Sequence, residues 1–303
     1  MNIAVVGGSG FIGSFLVDEL LSAGHRVVNF DIQHPKNTEV THVYVDVTDF
    51  TKLSIAMAGQ WDAVYLMAAV ANVDHFFVSP VEAYKVNMDS VINVLEVTRR
   101  YNVPRFLYAS TVWVYELAGD TGNVDETSHL GLHNVNHLYT VTKLAGEMSA
   151  ISYNKLYGQD FTILRFGIPY GPGARMGTVI TEFVRRATKK EPLVMQGDGS
   201  QSRYFIHVAD LARGCVAALK PQAANKIYNL EGKEKVSIRE IAEIVQRQIP
   251  GTVIEQTEAR KGDFTARKIS YDRAKTELGW EPRVDFGQGL ADYIRWYKES
   301  SGK

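Results

Sequence analysis

The chain has 303 residues, 45% of them hydrophobic and 22% charged, as in an ordinary globular protein that can bury a sizeable core. Its net charge of −1 provides no strong positive field, which argues against a general role in binding nucleic acid or a membrane surface. The single Cys215 excludes an internal disulfide and is predicted to be a buried helix residue. No apolar run reaches the roughly 20 residues that cross a bilayer. No signal peptide is visible after Met1, so the cytoplasm is the expected location.

Apolar runs typical of buried strands alternate with segments of helical periodicity through the first half of the chain. The predicted strands are Asn2–Val6, Arg26–Asp31, His42–Val45, Ala63–Met67, Arg105–Ala109 and Phe161–Arg165. The predicted helices include Phe11–Ala23, Pro80–Arg100 and one that carries Tyr139 and Lys143. This alternation predicts an α/β fold of the Rossmann type, a doubly wound parallel sheet covered on both faces.

The pattern changes after Arg165, where glycine and proline become frequent and the elements become shorter. Amphipathic helices near Ser237–Gln248 and Phe286–Lys298 predict a smaller C-terminal α/β domain. We expect a first domain of residues 1–166, to which about 204–230 returns, and a second domain of residues 167–203 and 231–303. The active site is expected outside the carboxyl ends of the parallel strands.

The segment that joins the first strand to the first helix is rich in glycine. Gly7 permits the turn, Gly10 lets the backbone approach a pyrophosphate, and Gly13 allows close packing of the helix on the strand. The free N–H groups at the start of the helix favour an anion there. The first domain is therefore predicted to bind a dinucleotide, and the second domain to bind the substrate.

Asp31 distinguishes between the two nicotinamide dinucleotides. It closes the second strand, where its carboxylate can accept hydrogen bonds from a ribose diol. The same charge would repel the extra phosphate of NADP, so NAD is the predicted cofactor. Asp46 and Val47 follow the third strand and could meet the adenine edge. The alternative for Asp46 is a cap of a helix at Phe50–Ala58.

Tyr139 and Lys143 are four residues apart and lie on one face of their predicted helix. A tyrosine is a weak base near neutral pH because its unperturbed pKa is about 10, and a neighbouring ammonium group favours the phenolate. Beside a nicotinamide that accepts hydride, the pair could oxidise an alcohol. It could also be a surface pair that arose by chance, but Thr111 after the fifth strand makes chance a poor explanation.

Short motifs follow one another in a fixed order along nearly the whole chain. They are Gly7–Gly13, Leu66–Ala69, Ser110-Thr111 with Val114-Tyr115, Tyr139 with Lys143, Tyr170–Pro172, Gly197–Arg203, Arg260–Asp263 and Leu278–Pro282. In this order they resemble the NAD-dependent epimerase/dehydratase family, extended short-chain dehydrogenases/reductases that act on sugar nucleotides.

The resemblance implies roles for the residues that match the family's motifs. Tyr139 would be the catalytic base, Lys143 would lower its pKa and hold the nicotinamide ribose, and Thr111 would hydrogen-bond the reacting hydroxyl. Arg203 and Arg260 stand where the family holds the diphosphate, which guanidinium groups suit. The other predicted cofactor contacts are Phe11, Ile12, Ile32, Met67, Ala68, Ala69, Asn87 and Ile168. The other predicted substrate contacts are Val112, Trp113, Asp263 and Arg267, of which Arg267 would border the sugar.

The resemblance also implies a homodimer, since members of the family usually pair through a four-helix bundle. Each chain would contribute the two long helices near Pro80–Arg100 and Leu138–Tyr157. No metal site is expected. His129, His133 and His137 recur at a spacing of four residues, but Gly131 interrupts the segment, and local loop contacts are the favoured explanation.

Several positions depart from the family pattern. Val112 and Trp113 stand where dehydratases of the family have an Asp-Glu pair, and neither side chain can carry a proton. This argues against a 4,6-dehydratase and weakens the case for a uronate decarboxylase. Trp113 could pack on the pyranose ring or in the core. The other departures are Ile168 for an Asn that contacts the sugar nucleotide, Glu116 for Gly, and Tyr204 for Asp.

The leading hypothesis is an NAD-dependent sugar-nucleotide 4-epimerase, acting on a UDP-hexose or UDP-hexuronate through transient oxidation to a 4-keto sugar. The alternative enzyme is an NAD(P)-dependent keto-sugar reductase or dehydrogenase, which would consume its cofactor. A non-catalytic NAD-binding sensor is a third hypothesis. The intact set of Thr111, Tyr139 and Lys143 argues against it.

Overall fold

The computed structural model describes residues 1–119, 122–131, 135, 137–258 and 267–301. The chain divides into two compact units. The first unit comprises Met1–Phe166, Ala212–Leu230 and Ile269–Glu281. The second comprises Gly167–Leu211, Glu231–Lys268 and Pro282–Lys303. The chain therefore returns to the first unit at Ala212, later than the predicted residue of about 204. The segment Ile269–Glu281, which the sequence analysis assigns to the second domain, also belongs to the first unit.

The strands of the described residues belong to three sheets. In chain order they are β1 Asn2–Val6, β2 Arg26–Asp31, β3 Thr41–Tyr44, β4 Ala63–Leu66, β5 Phe106–Thr111, β6 Phe161–Phe166, β7 Ile168–Tyr170, β8 Leu193–Gln196, β9 Ser202–His207, β10 Lys226–Leu230, β11 Lys235–Ser237 and β12 Ile254–Thr257. Strands β5 and β6 each run past their predicted ends, to Thr111 and Phe166.

The α-helices of the described residues lie between these strands, apart from the last one, which follows them. They are α1 Phe11–Ser22, α2 Phe50–Ala56, α3 Val73–Val78, α4 Pro80–Arg100, α5 Leu138–Tyr157, α6 Val179–Thr188, α7 Val208–Ala217, α8 Ile238–Gln248 and α9 Phe286–Ser301. Helix α4 has the predicted bounds, with proline in its first turn, where the missing N–H costs nothing. None of the helices in the described part of the chain is long and apolar enough to cross a membrane.

The central sheet of the first unit has, among the described residues, seven parallel strands in the order β10-β6-β5-β4-β1-β2-β3. Every residue of β4, β5 and β6 is buried, as expected of parallel strands covered by helices on both faces. The winding direction reverses between β1 and β4, and such a reversal opens a crevice at the carboxyl ends. The predicted Rossmann-type fold is confirmed.

Two small sheets characterise the second unit, where β9 lies between β11 and β7 and β12 pairs with β8. Because Ser202–His207 bonds to these partners, it does not join the central sheet, and the strand that returns there is Lys226–Leu230. Helix α8 begins at a capping box formed by Ser237 and Glu240.

Cys215 is fully buried in α7, as predicted, and its carbonyl oxygen accepts a hydrogen bond of 2.8 Å from the Tyr65 hydroxyl.

Candidate active site

The glycine loop lies between β1 and α1. Gly7 has a φ of +92°, a left-handed conformation that favours glycine, and a Cβ there would collide with the backbone of Ala68. A Cβ on Gly13 would collide with the carbonyl oxygen of Gly7, so α1 packs tightly on the loop. Gly10 precedes α1, and no side chain of the described residues caps the helix start. The N–H groups at Phe11 and Ile12 therefore suit an anion such as a pyrophosphate.

Asp31 ends β2 and is hydrogen-bonded to the glycine loop. Its carboxylate accepts from the backbone N–H of Ser9 and of Gln33, both at 2.9 Å. The Ser9 hydroxyl donates to the Gln33 carbonyl oxygen at 2.6 Å and accepts from the buried Asn29 amide at 2.8 Å. A carboxylate has about four acceptor positions, so Asp31 can hold the loop and still bind a ribose diol. Neighbouring Ile32 is exposed.

Asp46 does not cap α2, so the alternative offered for it is wrong. Its carboxylate accepts from the backbone N–H and hydroxyl of Thr48, both at 2.8 Å. Asp49, three residues later, caps the helix by accepting from the Lys52 N–H. Val47 is buried, and its carbonyl oxygen accepts from the Asn93 amide. A contact of Asp46 or Val47 with adenine stays a prediction.

The chain after β4 is held on both sides. The N–H groups of Met67 and Ala68 both donate to the carbonyl oxygen of Val6, so this segment follows β1. On the other side, the Asn87 side chain of α4 accepts from the Val70 N–H at 2.7 Å and donates to the Val70 carbonyl at 3.1 Å. Asn87 therefore shapes the segment that contains Ala69. Direct contact of these residues with a cofactor stays a prediction.

Lys143 of α5 is buried in the first unit. Its Nζ donates to the carbonyl oxygen of Ala109 at 2.8 Å and lies 5.1 Å from the centre of the Tyr108 ring. Burial lowers the pKa of Lys143 to about 8, while the negative charge of Glu147 acts in the opposite direction. The ammonium group is therefore fixed beneath the end of β5 and loses its proton more readily than an exposed lysine.

Tyr139 lies in the first turn of α5, and Trp113 lies beside it. The two ring centres are 6.4 Å apart in an edge-to-face arrangement, and Phe76 of α3 approaches the same tyrosine at 6.0 Å. Trp113 lies in the 3-10 helix Val112–Ala118 that follows β5, and its N–H donates to the Thr111 hydroxyl at 3.2 Å. Trp113 is thus a half-buried wall next to the candidate base. Val112 packs in a small buried hydrophobic cluster with Val114 and Tyr115, and Trp113 also packs against this cluster.

Behind Lys143 lies a buried ion pair that the sequence analysis missed. Glu147 is 2% exposed and binds Arg165 of β6 through two hydrogen bonds of 2.9 and 2.7 Å. The Ser110 hydroxyl donates to the same carboxylate at 2.5 Å. The available signal was the spacing, because Glu147 follows Lys143 by four residues on the same helix face.

His137, which had been assigned only loop contacts, is the cap of α5. Its Nδ1 accepts from the Thr140 N–H, while its Nε2 lies 3.1 Å from a carboxylate oxygen of Glu116. The His137 ring is also 5.1 Å from the Trp113 ring. His133 lies outside the described residues. Within the described parts of the chain, no group of three or more His, Cys, Asp or Glu residues could hold a metal ion.

The predicted substrate contacts of the C-terminal half are only partly described. Arg203 lies in β9 and donates to the carbonyl oxygen of Ser202 at 2.9 Å. Ile168 opens β7 and lies opposite Phe205 of β9. Arg267 is half-buried, and Arg260 and Asp263 lie outside the described residues. Binding of a diphosphate by these arginines stays a prediction.

The sequence pattern of the NAD dependent epimerase/dehydratase family matches residues 3–230 of the chain. The chain belongs to this family. Among its relatives, the UDP-glucuronate 4-epimerase of Thermodesulfobacterium geofontis is 30% identical, over 98% of this chain and 96% of the relative. UDP-glucuronic acid decarboxylase 4 of Arabidopsis thaliana is also 30% identical, over 99% of this chain and 69% of the relative.

Solved structures of the family have the same fold. The UDP-glucose 4-epimerase of Thermotoga maritima, solved with UDP-glucose, has a TM-score of 0.88 at 26% identity and covers 99% of this chain and 100% of its own. The UDP-glucuronic acid 4-epimerase of Bacillus cereus, solved with its UDP-sugar and NAD, has a TM-score of 0.85 at 28% identity and covers 99% and 100%.

Membership of the family confirms NAD as the cofactor, and the first unit fits it. A close approach of the backbone to pyrophosphate needs free space at the loop Gly7–Gly13. Gly10 has this space, because the nearest atom to a Cβ added there would be 3.4 Å away. Asp31 supplies acceptors at the end of β2. The chain is therefore an NAD-dependent enzyme of the family that acts on sugar nucleotides.

Proposed function

We propose that this enzyme is a 4-epimerase of a UDP-hexose or UDP-hexuronate. The observation that carries the proposal is the end of β5, where Thr111 is followed by Val112 and Trp113. A dehydratase needs a proton-transferring side chain in addition to the tyrosine, and neither residue supplies one. Trp113 instead lies 6.4 Å from Tyr139, ring centre to ring centre, and presents an apolar wall suited to a sugar ring.

The residues of the chain have defined tasks in this reaction. Tyr139 takes the proton of the substrate hydroxyl during oxidation and returns it during reduction, while Thr111 holds the oxygen that becomes a carbonyl. Lys143 stabilises the phenolate by its charge. Bound NAD supplies a reversible hydride acceptor, so the overall reaction leaves the cofactor unchanged. Inversion at C4 requires that the keto sugar present its opposite face to the same cofactor before reduction.

The proposal also assigns a different ligand to each of the two units. The first unit would bind NAD, because it contains the glycine loop and Asp31. The second would bind the nucleotide sugar through Arg203, Arg260, Asp263 and Arg267. The UDP assignment is supported by the four relatives named above, three of which are named for UDP-glucuronate chemistry and one for UDP-glucose. A cytoplasmic location stays a prediction.

The assembly proposed for the enzyme is a homodimer formed through α4 and α5. Support comes from the apolar side chains that α3, α4 and the start of α5 expose. Phe77 is 72% exposed, and Val78 and Val81 are each 81% exposed. Apolar surface of this kind, grouped on adjacent helices, marks association sites more often than random surface does.

Proton NMR of the anomeric signals tests the function. The purified enzyme is mixed with UDP-, dTDP-, GDP- and CDP-sugars, and NADH is followed by absorbance. We expect the C4 epimer of a UDP-sugar to form without net NADH, and Tyr139→Phe to abolish its formation. Stoichiometric NADH or NAD production would instead indicate a dehydrogenase or reductase. Release of carbon dioxide with a UDP-pentose would indicate a decarboxylase.

A further inference from the structure

Lys143 requires a compensating negative charge to stay protonated in the core. The residue is 5% exposed, so its ammonium group is removed from water. Its hydrogen-bond acceptor is the carbonyl oxygen of Ala109, and the aromatic face beside it belongs to Tyr108. Both groups are neutral. The charge that opposes the effect of burial comes from Glu147.

Three hydrogen bonds hold Glu147 on the face of α5 that also carries Lys143. It is the next residue on the same face of α5, one helical turn after the lysine. Arg165 binds both of its oxygens in a bidentate arrangement, which fixes the plane of the carboxylate. Ser110 donates a third hydrogen bond. Three donors therefore satisfy a carboxylate that is almost completely buried.

The donors to Glu147 come from one row of the central sheet. Ser110 of β5 is opposite Arg165 of β6, and Arg165 is opposite Asn229 of β10. The Arg165 guanidinium also donates to the Tyr115 hydroxyl at 2.9 Å, and that hydroxyl donates to Asn229 at 2.9 Å. Thr111, the predicted contact to the reacting hydroxyl, is the residue of β5 in the next row of the sheet. The ion pair is therefore built into the strands that end at the candidate active site.

We propose that Glu147 is a positioning residue that keeps Lys143 protonated inside the core, and that Arg165 and Ser110 hold Glu147 for this task. The inference rests on the proposed roles of Tyr139 and Lys143. Around the lysine, the described titratable and charged groups are Tyr108 of β5, Tyr139 and Glu147 of α5, and Arg165 of β6, which binds Glu147. Arg165 carries the charge opposite to that of Glu147, so the two partners act on the lysine with opposite signs.

Two variants distinguish this role from a structural one. Each breaks the same ion pair, so a purely structural role predicts the same effect on Tyr139 in both. In Glu147→Gln, the negative charge is lost and Arg165 stays cationic, so Lys143 releases its proton more readily. The pKa of Tyr139 should then rise by about one unit. In Arg165→Met, the carboxylate of Glu147 remains near Lys143, so the pKa of Tyr139 should stay unchanged or fall.

The readout is the ultraviolet absorbance of the phenolate in the NAD-bound enzyme. Each titration is corrected by the same protein carrying Tyr139→Phe. No substrate is present, so failure of the epimerase proposal in the NMR panel leaves this test intact. Similar shifts in both variants, or no shift in Glu147→Gln, overturn the inference.

A buried charge without its partner can prevent folding. The double variant Glu147→Gln/Arg165→Met removes both charges of the pair, leaves neither partner unpaired, and is compared with the wild-type protein. Loss of the carboxylate on the helix face of Lys143 should again make the lysine release its proton more readily. The pKa of Tyr139 should be higher in the double variant, and equal values overturn the inference.

Discussion

Glu231 is a buried carboxyl group whose environment disfavours its ionised form. It is 2% exposed, its carboxylate accepts from the N–H of Gly232, and it lies over Gly167, where a Cβ would collide with it. Burial raises the pKa of Glu231 to about 8. The folded protein therefore keeps this group neutral at pH 7, whereas the unfolded chain ionises it.

This shift predicts a specific pH dependence of stability. Between about pH 4.5 and 8 the unfolded state binds fewer protons at this position, so the free energy of unfolding falls as the pH rises. Glu231→Gln keeps the acceptor for Gly232 and cannot ionise. Its advantage in the free energy of unfolding should be near zero at pH 4.5 and approach about 5 kcal/mol above pH 8. Urea unfolding across this range measures it, with exposed Glu255→Gln as the control. A constant difference across pH would contradict the prediction.

Asp31 is predicted to stabilise the glycine loop as well as bind ribose. Asp31→Ala removes the acceptor for the N–H groups of Ser9 and Gln33, and each hydrogen bond to a charged group contributes about 1.5 to 3 kcal/mol. We expect the Kd of NAD to rise at least about tenfold. Without cofactor, hydrogen exchange should accelerate at Gly7–Gly13. Asp31→Asn keeps one acceptor and should be intermediate. Unchanged exchange in Asp31→Ala would limit Asp31 to cofactor contact.

The residues that could be predicted from the sequence are those with local signals. Gly7 and Asp31 sit at fixed places relative to strand ends, and Tyr139 and Lys143 share one helix face. The partners that support them could not be predicted, because they come from distant segments. Arg165 meets Glu147 only after β6 and α5 pack together, and nothing in a helical period identifies which strand residue will face it.

At the scale of elements, the predictions were most accurate where periodicity was strong. Long α4 has its predicted bounds, and β1 and β2 do as well. The predicted end of β5 is two residues early, just before the polar Ser110, and that of β6 is one residue early, at the polar Arg165. Both residues are buried in the ion-pair network instead. A polar residue that has a partner in the core carries no strand-end signal.

The cap of α5 is predicted to position Tyr139 as well as start the helix. His137→Ala removes the acceptor for the Thr140 N–H and should lower stability by about 1 kcal/mol. Because Tyr139 lies in the first turn, kcat should fall while KM changes little. His137→Asn restores a side-chain acceptor at the cap and should recover most of kcat. Thermal unfolding measures the change in stability, and steady-state kinetics measure kcat and KM. Equal kcat in His137→Ala and His137→Asn would restrict His137 to a stability role.

At the scale of the molecule, the sequence could not predict where the chain re-enters the first unit. The entry at Ala212 and the later segment Ile269–Glu281 depend on long-range pairing, such as β10 with β6 and Ile269 with Val124. Such pairing depends on a partner segment that is distant in the sequence, so it produces no periodic pattern in the segment itself. The central sheet itself could be predicted, because strand-helix alternation restricts it to a right-handed parallel topology.

The apolar surface of α3 and α4 gives the last prediction, which concerns assembly. Val78 and Val81 are each 81% exposed, and they continue into a groove of about 450 Å³ lined by Tyr84, Met88 and Leu138. In a monomer this apolar surface stays in contact with water and adds no stability. Its burial in a dimer contributes roughly 25 cal/mol per Å² of apolar area. A charge placed there must be desolvated on association, so Val81→Glu should produce a monomer. Light scattering after size-exclusion chromatography measures the mass.

The matched control is Val253→Glu, because Val253 is 58% exposed and belongs to the second unit. It introduces the same charge at a residue outside the proposed interface, and the dimer should persist. A wild-type monomer, or a dimer that survives Val81→Glu, would contradict pairing through these helices. Because Phe76 packs against Tyr139, α3 connects this surface to the candidate base. A monomeric variant should therefore also lose part of its kcat, through greater mobility of α3 next to Tyr139.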